Sequence, residues 1–190
     1  LAVVPHMKKT KFIYYFIGIF IILSFHLSAQ TLKMEYNHNI IPWNDTINPE
    51  IKKQFKNENK SKKEILVITK QSNDSLFSIF VYNNTKDSLN IELQDRSLFL
   101  IQEAKTPNGE WKPIEYWAMS NCGNSFKDFK ISSNEILRTK TLKYKGDFKT
   151  QIRFKLYNSD KVYYSNSLSG SININQFKIP EDIYESNKYK

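Results

Sequence analysis

Two stretches of this chain alternate apolar and polar residues without a break, and no segment after residue 64 repeats at helical spacing. Leu89, Ile91 and Leu93 alternate with Asn90, Glu92 and Gln94, and Thr150, Ile152, Phe154 and Leu156 alternate with Gln151, Arg153 and Lys155. A period of two turns one set of side chains to a core and the other to water, so both stretches read as half-buried strands. Around them lie Ile65–Ile68, Leu76–Tyr82, Ser97–Glu103, Trp111–Trp117, Ile136–Tyr144, Val162–Ser165 and Leu168–Ile174. Turn chemistry separates them: Asn83 to Asp87, Asp95-Arg96, Thr106-Pro107-Asn108-Gly109, Gly146-Asp147 and Asn158-Ser159-Asp160. Pro113 demotes its segment to an edge strand or a bulge. Ile136–Tyr144 is polar enough to be read as solvent-facing, and the SNCGNS run, 120–125, as a loop.

Eight to ten short strands spaced about 10 residues apart, with no helical crossover, indicate an all-β antiparallel sandwich or barrel rather than a parallel α/β sheet. Residues 64–175 match the roughly 100 positions of an immunoglobulin-like domain, and the expected fold is an Ig-like β-sandwich. With Cys122 as the only cysteine, no internal disulfide staples it, and an unpaired thiol is expected to be buried and inert.

The amino-terminal region reads as an address. Met7 is followed by Lys8, Lys9 and Lys11, an uncharged run from Phe12 to Phe25, and Leu27-Ser28-Ala29-Gln30. This is the layout of a secretory signal peptide cleaved between Ala29 and Gln30. The uncharged run gives about 21 Å of helix against a hydrocarbon core of about 30 Å, which favours a cleaved signal over a membrane anchor. No cysteine stands directly after the run, so a lipid-anchored form is not expected. Export implies a periplasmic, extracellular or cell-surface protein. Loss of the three lysines with the signal lowers the formal charge from +9 to +6. An exported protein meets no chromosomal DNA, so that charge is read as solubility or affinity for anionic envelope surfaces. Residues 30–63 form a polar arm in which Asn48-Pro49-Glu50 signals a helix start and Ile51 and Phe55 share one helical face, giving a short helix near 49–59. The polar tail, 176–190, is expected to be loosely held.

The residue inventory excludes much chemistry. His6, His26 and His38 all precede the β region, which removes histidine-based nucleophile activation from it. The glycines at 18, 109, 123, 146 and 170 are too dispersed for a phosphate-cradling loop, and no His or Cys cluster offers a transition-metal site. No cofactor and no metal are therefore expected. Asn/Asp-rich turns such as Asn73-Asp74 and Asn158–Asp160 are read as holding water rather than calcium. A carboxylate hydrolase acting on glycosidic bonds has Glu103, Glu110, Glu115, Asp128 and Asp147 available, without a cluster on one strand. Trp111, Tyr116 and Trp117, beside a loop carrying Asn121 and Asn124, offer an aromatic face for a sugar or a protein, or else belong to the core.

The signal ending in Ser-Ala-Gln, with Gly109-Glu-Trp-Lys-Pro-Ile-Glu115, Asn121-Cys-Gly-Asn-Ser125 and Tyr163-Tyr-Ser-Asn166, resembles uncharacterised secreted β-sandwich proteins of Gram-negative bacteria. The likeness covers roughly residues 76–178. It implies an envelope protein and transfers no functional residue. In that setting Asp45-Thr46-Ile47, Asp74-Ser75-Leu76 and Asp87-Ser88-Leu89 resemble the short acceptor tripeptide for O-glycosylation, at Thr46, Ser75 and Ser88. The expected function is a non-enzymatic module binding an envelope protein, with carbohydrate binding as the alternative and a carboxylate glycoside hydrolase third.

Overall fold

A computed structural model describes residues 40–41, 49–58, 64–117 and 119–178. The segment expected to be a signal peptide, with the expected cleavage point at Ala29 and Gln30, Thr46 and the end of the tail lie outside these residues. Twelve strands are described: β1 (Ile40–Ile41), β2 (Ile65–Gln71), β3 (Leu76–Asn83), β4 (Leu89–Gln94), β5 (Ser97–Leu98), β6 (Leu100–Lys105), β7 (Trp111–Pro113), β8 (Phe126–Ile131), β9 (Ile136–Leu142), β10 (Phe148–Asn158), β11 (Lys161–Tyr164) and β12 (Leu168–Ile172). One helix, α1 (Pro49–Glu58), precedes β2. The named strands pair antiparallel throughout, so the all-β antiparallel class stands.

The strands form three sheets, ordered β1-β9-β3-β2, β11-β10-β6-β7 with β12 also on β10, and β5-β4-β8. One apolar cluster joins all three: Val67, Phe77, Ile79 and Leu137 from the first, Leu100, Phe154 and Leu156 from the second, Ile91, Leu93 and Ile131 from the third. Phe77 and Phe154 meet edge to face at 5.7 Å, in the arrangement that aromatic quadrupoles favour.

Asn83 marks the place where a strand pair changes sheet. β3 and β9 pair as far as Tyr82 opposite Ile136, and the same two chain segments pair again as β4 and β8 from Leu89 opposite Ile131. At the corner between them Asn83 is fully buried. Its Nδ2 donates to the carbonyls of Asp87 (2.7 Å), Ser132 (3.0 Å) and Ile131 (3.2 Å), and its Oδ1 accepts from Thr85 N (2.9 Å) and Thr85 Oγ1 (2.8 Å). Corners in packed sheets need a bend, and a bend leaves ladder groups without partners. Here one amide satisfies them.

Two tight turns set the remaining register. Asp95 and Arg96 both have positive φ, the conformation of a two-residue hairpin whose twist matches its strands, and they join β4 to β5. Gly109, at φ +86°, closes the 106–109 turn between β6 and β7, where its N–H donates to Thr106 O (2.9 Å).

Several elements differ from the sequence reading. Ile136–Leu142 is not a solvent-facing strand: it lies between β1 and β3, with Thr139 and Thr141 buried, because a hydroxyl within a sheet can be satisfied locally while its methyl packs. β8 is a strand where the sequence predicts none; Lys127 interrupts the apolar side that Phe129 and Ile131 turn to the core. Pro113 ends β7 after three residues, and the chain to Trp117 leaves the sheet. Helix α1 is no detached arm. Ile51 and Phe55 bury themselves against Leu66, Ile68, Phe80 and Ile136 on the first sheet, and the Phe55 ring meets Tyr82 at 4.8 Å. Burying the two side chains contributes roughly 3–6 kcal/mol before the cost of ordering the helix. Ile174–Phe177 is a short helical turn with a capping box between Asn173 and Gln176, and Phe177 packs edge-on to Phe148. The first residues of the polar tail are thus held in place.

Replacing Asn83 with alanine removes five hydrogen bonds at the corner, among them the one to the buried Ile131 carbonyl. Urea denaturation of Asn83→Ala is expected to show a loss of about 2–4 kcal/mol; a loss under about 0.5 kcal/mol, the usual surface range, contradicts this role for the amide.

Candidate functional site

The residues singled out by sequence do not converge on one open site. Tyr116 and Trp117 are 3% and 5% exposed, and with Trp111 they form no solvent-facing aromatic platform. Trp117 belongs to a second small core with Phe99, Ile101 and Tyr157, supported by Met119, and its ring lies 5.1 Å from Phe99. The Tyr116 hydroxyl donates to Pro113 O at 3.4 Å, and burial pushes its pKa above the ordinary tyrosine value. The cause is local: once Pro113 stops the ladder, the chain folds back over Phe99 and Ile101 instead of continuing along the sheet edge.

Trp111 does face outward, but it is occupied. The Arg153 guanidinium lies 4.5 Å from the Trp111 ring and 4.1 Å from the Tyr164 ring, a cation held against two aromatic rings across β7, β10 and β11. Its Nε donates to Glu103 Oε2 at 2.6 Å, and the Lys155 ammonium stands 3.8 Å from Glu103 Oε1. Burial pulls the Lys155 pKa down; Glu103 opposes the shift and Arg153 adds to it. The Glu103 charge is therefore compensated by two cations.

Glu115, also buried, accepts from Gln102 N (2.8 Å) and Gln102 Nε2 (2.6 Å), while Gln102 Nε2 also donates to Leu142 O (2.9 Å) of the first sheet. Glu110, Asp128 and Asp147 are exposed on separate elements, Glu110 beside Lys112 at 3.9 Å. No pair of the five carboxylates faces a shared cleft among the described residues. No group of three or more potential metal ligands occurs among them either.

Asn121 and Asn124 are exposed on the 120–125 loop, whose conformation is fixed by its serines. Ser120 N donates to Gln94 Oε1 (3.0 Å), Ser120 Oγ meets Ser125 Oγ at 2.9 Å, and Asp95 N donates to Ser125 O (2.8 Å). Cys122 on this loop is exposed, contrary to the buried thiol expected of it. Ser75 and Ser88 are exposed in the turns after β2 and β3, so both hydroxyls face solvent.

The edges of the sheets are more informative. The outer edge of β2 is closed by Asn166, whose Oδ1 accepts from Thr69 N (2.8 Å) and whose Nδ2 donates to Thr69 O (3.0 Å), beside a parallel bridge from Val67 to Ser165. The side of β4 beyond β5 is closed by Asn158, which accepts from Glu92 N and donates to Asn90 O, both at 3.0 Å. A side-chain amide offers the same donor and acceptor as a peptide unit, so each asparagine acts as a one-residue strand. β9 carries β1 at Arg138 and Thr139, and β7 is a three-residue strand containing proline.

Among the described residues β8 is the longest strand with one whole edge unpaired. It pairs with β4 on one side and with no described strand on the other, and Phe126 through Lys130 are exposed or half-buried. Phe126 is 39% exposed and stacks on Phe99 with ring centroids 6.4 Å apart. Beside it runs a shallow groove of about 360 Å³ lined by Leu93, Phe99, Met119 and Phe126, with Glu92 and Asp128. In Phe126-Lys-Asp-Phe-Lys-Ile131 the core side is carried by Phe129 and Ile131, two apolar residues at strand spacing beside Lys127 on the same parity, a weak alternation for a sequence to show.

No family model, curated protein or solved structure matches this chain.

Two measurements check the electrostatic assignments. Arg153→Ala leaves Glu103 buried with Lys155 alone and is expected to cost about 2–4 kcal/mol in denaturant unfolding, more than Lys112→Ala at an exposed pair. Burial and the nearby Glu64 carboxylate push the Tyr163 pKa up to about 12, while a hydrogen bond from Lys161 holds Glu64 below its usual value. The folded protein keeps the phenol proton above the ordinary tyrosine range, so this contribution to stability is intact below about pH 10 and lost as pH rises toward the folded value. Unfolding titrations are expected to show Tyr163→Phe gaining stability relative to the native protein across that alkaline window; a constant difference between the two removes the assignment.

Proposed function

We propose that this protein is an exported, non-enzymatic β-sandwich of immunoglobulin type that binds a protein partner in the bacterial envelope, taking an extended segment of that partner along β8. The observation that carries this reading is the six-residue edge of β8, unpaired among the described residues, in a molecule whose β2 and β4 edges are each closed by an asparagine amide. An exposed edge lends its backbone N–H and C=O groups to an added strand, and side-chain pockets beside it supply selectivity. The groove at Phe99, Met119 and Phe126 is such a pocket, adjoining the edge.

The immunoglobulin-like part rests on strand order. β2-β3-β9 and β6-β10-β11 follow the order in which strands one, two and five share one sheet and strands three, six and seven the other in that fold. Export rests on residues 8–30 of the sequence, and the solvent-facing Ser75 and Ser88 suit acceptors of an exported protein's glycans. The sugar-binding alternative loses the aromatic platform that motivated it, since Tyr116 and Trp117 are core residues.

A photo-crosslinking residue at Asp128 in the exported protein tests this function. One stoichiometric protein partner is expected on the crosslinked band. Prolines at Lys127 and Asp128 sharpen the result, because adjacent residues of a strand point their N–H groups to opposite edges. Whichever proline leaves the stability unchanged removes an outward donor and is expected to abolish the crosslink. Undiminished capture by that variant rules out strand addition at β8.

A further inference from the structure

We propose that the β8 edge pairs with β8 of a second copy of this chain, as a two-fold antiparallel strand pair centred on Phe129. This rests on the reading of β8 as the docking edge and names what docks there. Within one chain Asp128 lies directly opposite Glu92 on β4, a juxtaposition of like charges across the strands. Asp128, Lys127 and Lys130 make no ion pair among the described residues. The outer edge of β8 therefore presents a carboxylate repelled by the residue facing it on β4, flanked by two ammonium groups that make no ion pair among the described residues.

Symmetry then selects a register. A two-fold axis normal to a sheet keeps every side chain on its own face, so residues opposite one another across the axis have the same parity. Centring the pair on Lys127 or on Lys130 sets that ammonium against its own copy. Centring it on Asp128 sets two carboxylates together. Centring it on Phe129 places Asp128 opposite Lys130 of the second copy, twice by symmetry, and brings the two half-buried Phe129 rings together on the core side of the sheet. Lysines on an edge strand ordinarily discourage pairing; here they reject the registers centred on themselves. Of the registers centred on residues 127 to 130, the one at Phe129 alone sets opposite charges face to face, while centres at the strand ends, Phe126 and Ile131, pair only part of β8. The result is a continuous sheet β5-β4-β8 joined to β8-β4-β5 of the second copy. An interface built on one six-residue strand falls at the small end of the size range, so the dimer is weak and concentration-dependent.

Sedimentation velocity on the purified protein carrying Cys122→Ser, which removes the exposed thiol, is the test. The expected result is a monomer–dimer equilibrium in which Asp128→Lys and Lys130→Asp each raise the dissociation constant at least about tenfold, while the double charge swap restores it. Phe129→Cys in the Cys122→Ser background is expected to oxidise to a covalent dimer, since directly opposed residues fall within disulfide reach. A monomer at every concentration, or a double swap no tighter than either single change, overturns self-pairing. If the photo-crosslinker at Asp128 then captures a different protein, the docking edge stands and only its occupant is wrong. If it captures neither this chain nor another protein, both readings fall.

Discussion

Three asparagine side chains stand where the strands change sheet or run out of neighbours, and the arrangement of the sheets depends on them. Asn83 fills the corner at which the β3–β9 pair becomes the β4–β8 pair, Asn158 ties β4 to the end of β10, and Asn166 fastens the outer edge of β2 to the segment after β11. A peptide group away from water must find a partner, and each seam between sheets interrupts the ladder that would supply one. An amide on a single-carbon stem carries a donor and an acceptor at peptide-like spacing and can enter a seam too narrow for a strand. With the apolar interior shared among three sheets, these polar contacts decide how the sheets meet, while the apolar contacts supply most of the driving force.

The same logic accounts for the buried charges. Gln102 and Glu115 link β6, the chain beyond β7, and β9 through hydrogen bonds in the interior. Glu103 is balanced by Arg153 and Lys155, and Arg153 is in turn held between Trp111 and Tyr164. Carboxylates so fully engaged orient backbone and sheet and are poorly placed to transfer protons to a substrate. Of the residues that sequence alone offered as a reactive or sugar-binding surface, Glu103, Glu115, Tyr116 and Trp117 are absorbed into structure, while Glu110, Asp128 and Asp147 stay exposed on separate elements.

Much of the strand pattern was legible because half-buried strands write their burial into a period of two. Leu89–Gln94 coincides with β4, and the second clean alternation lies within β10. The helix start at Asn48-Pro49-Glu50 placed α1 within a residue at each end. Less legible are β8, an edge strand that meets the core only through Phe129 and Ile131 and breaks its alternation at Lys127, and the central place of β9, because buried threonines look polar in a sequence. Tyr116 and Trp117 were ambiguous for a related reason: an aromatic ring serves a core and a binding face equally well, and only the chain reversal after Pro113 assigns them to the core.

By itself the sequence determined the secondary-structure class, the turns, the single cysteine that leaves no internal disulfide, and the lack of any histidine in residues 64–175. These follow from local spacing and residue identity, which no distant contact can change. The tertiary structure decided which edges are sealed, which carboxylates are neutralised, which aromatic rings reach water, and that Asp128 faces Glu92 across a strand pair. Such properties depend on partners far apart in the chain, Thr69 with Asn166 or Glu103 with Arg153, and pairings of that kind leave no periodic trace for a single sequence to reveal.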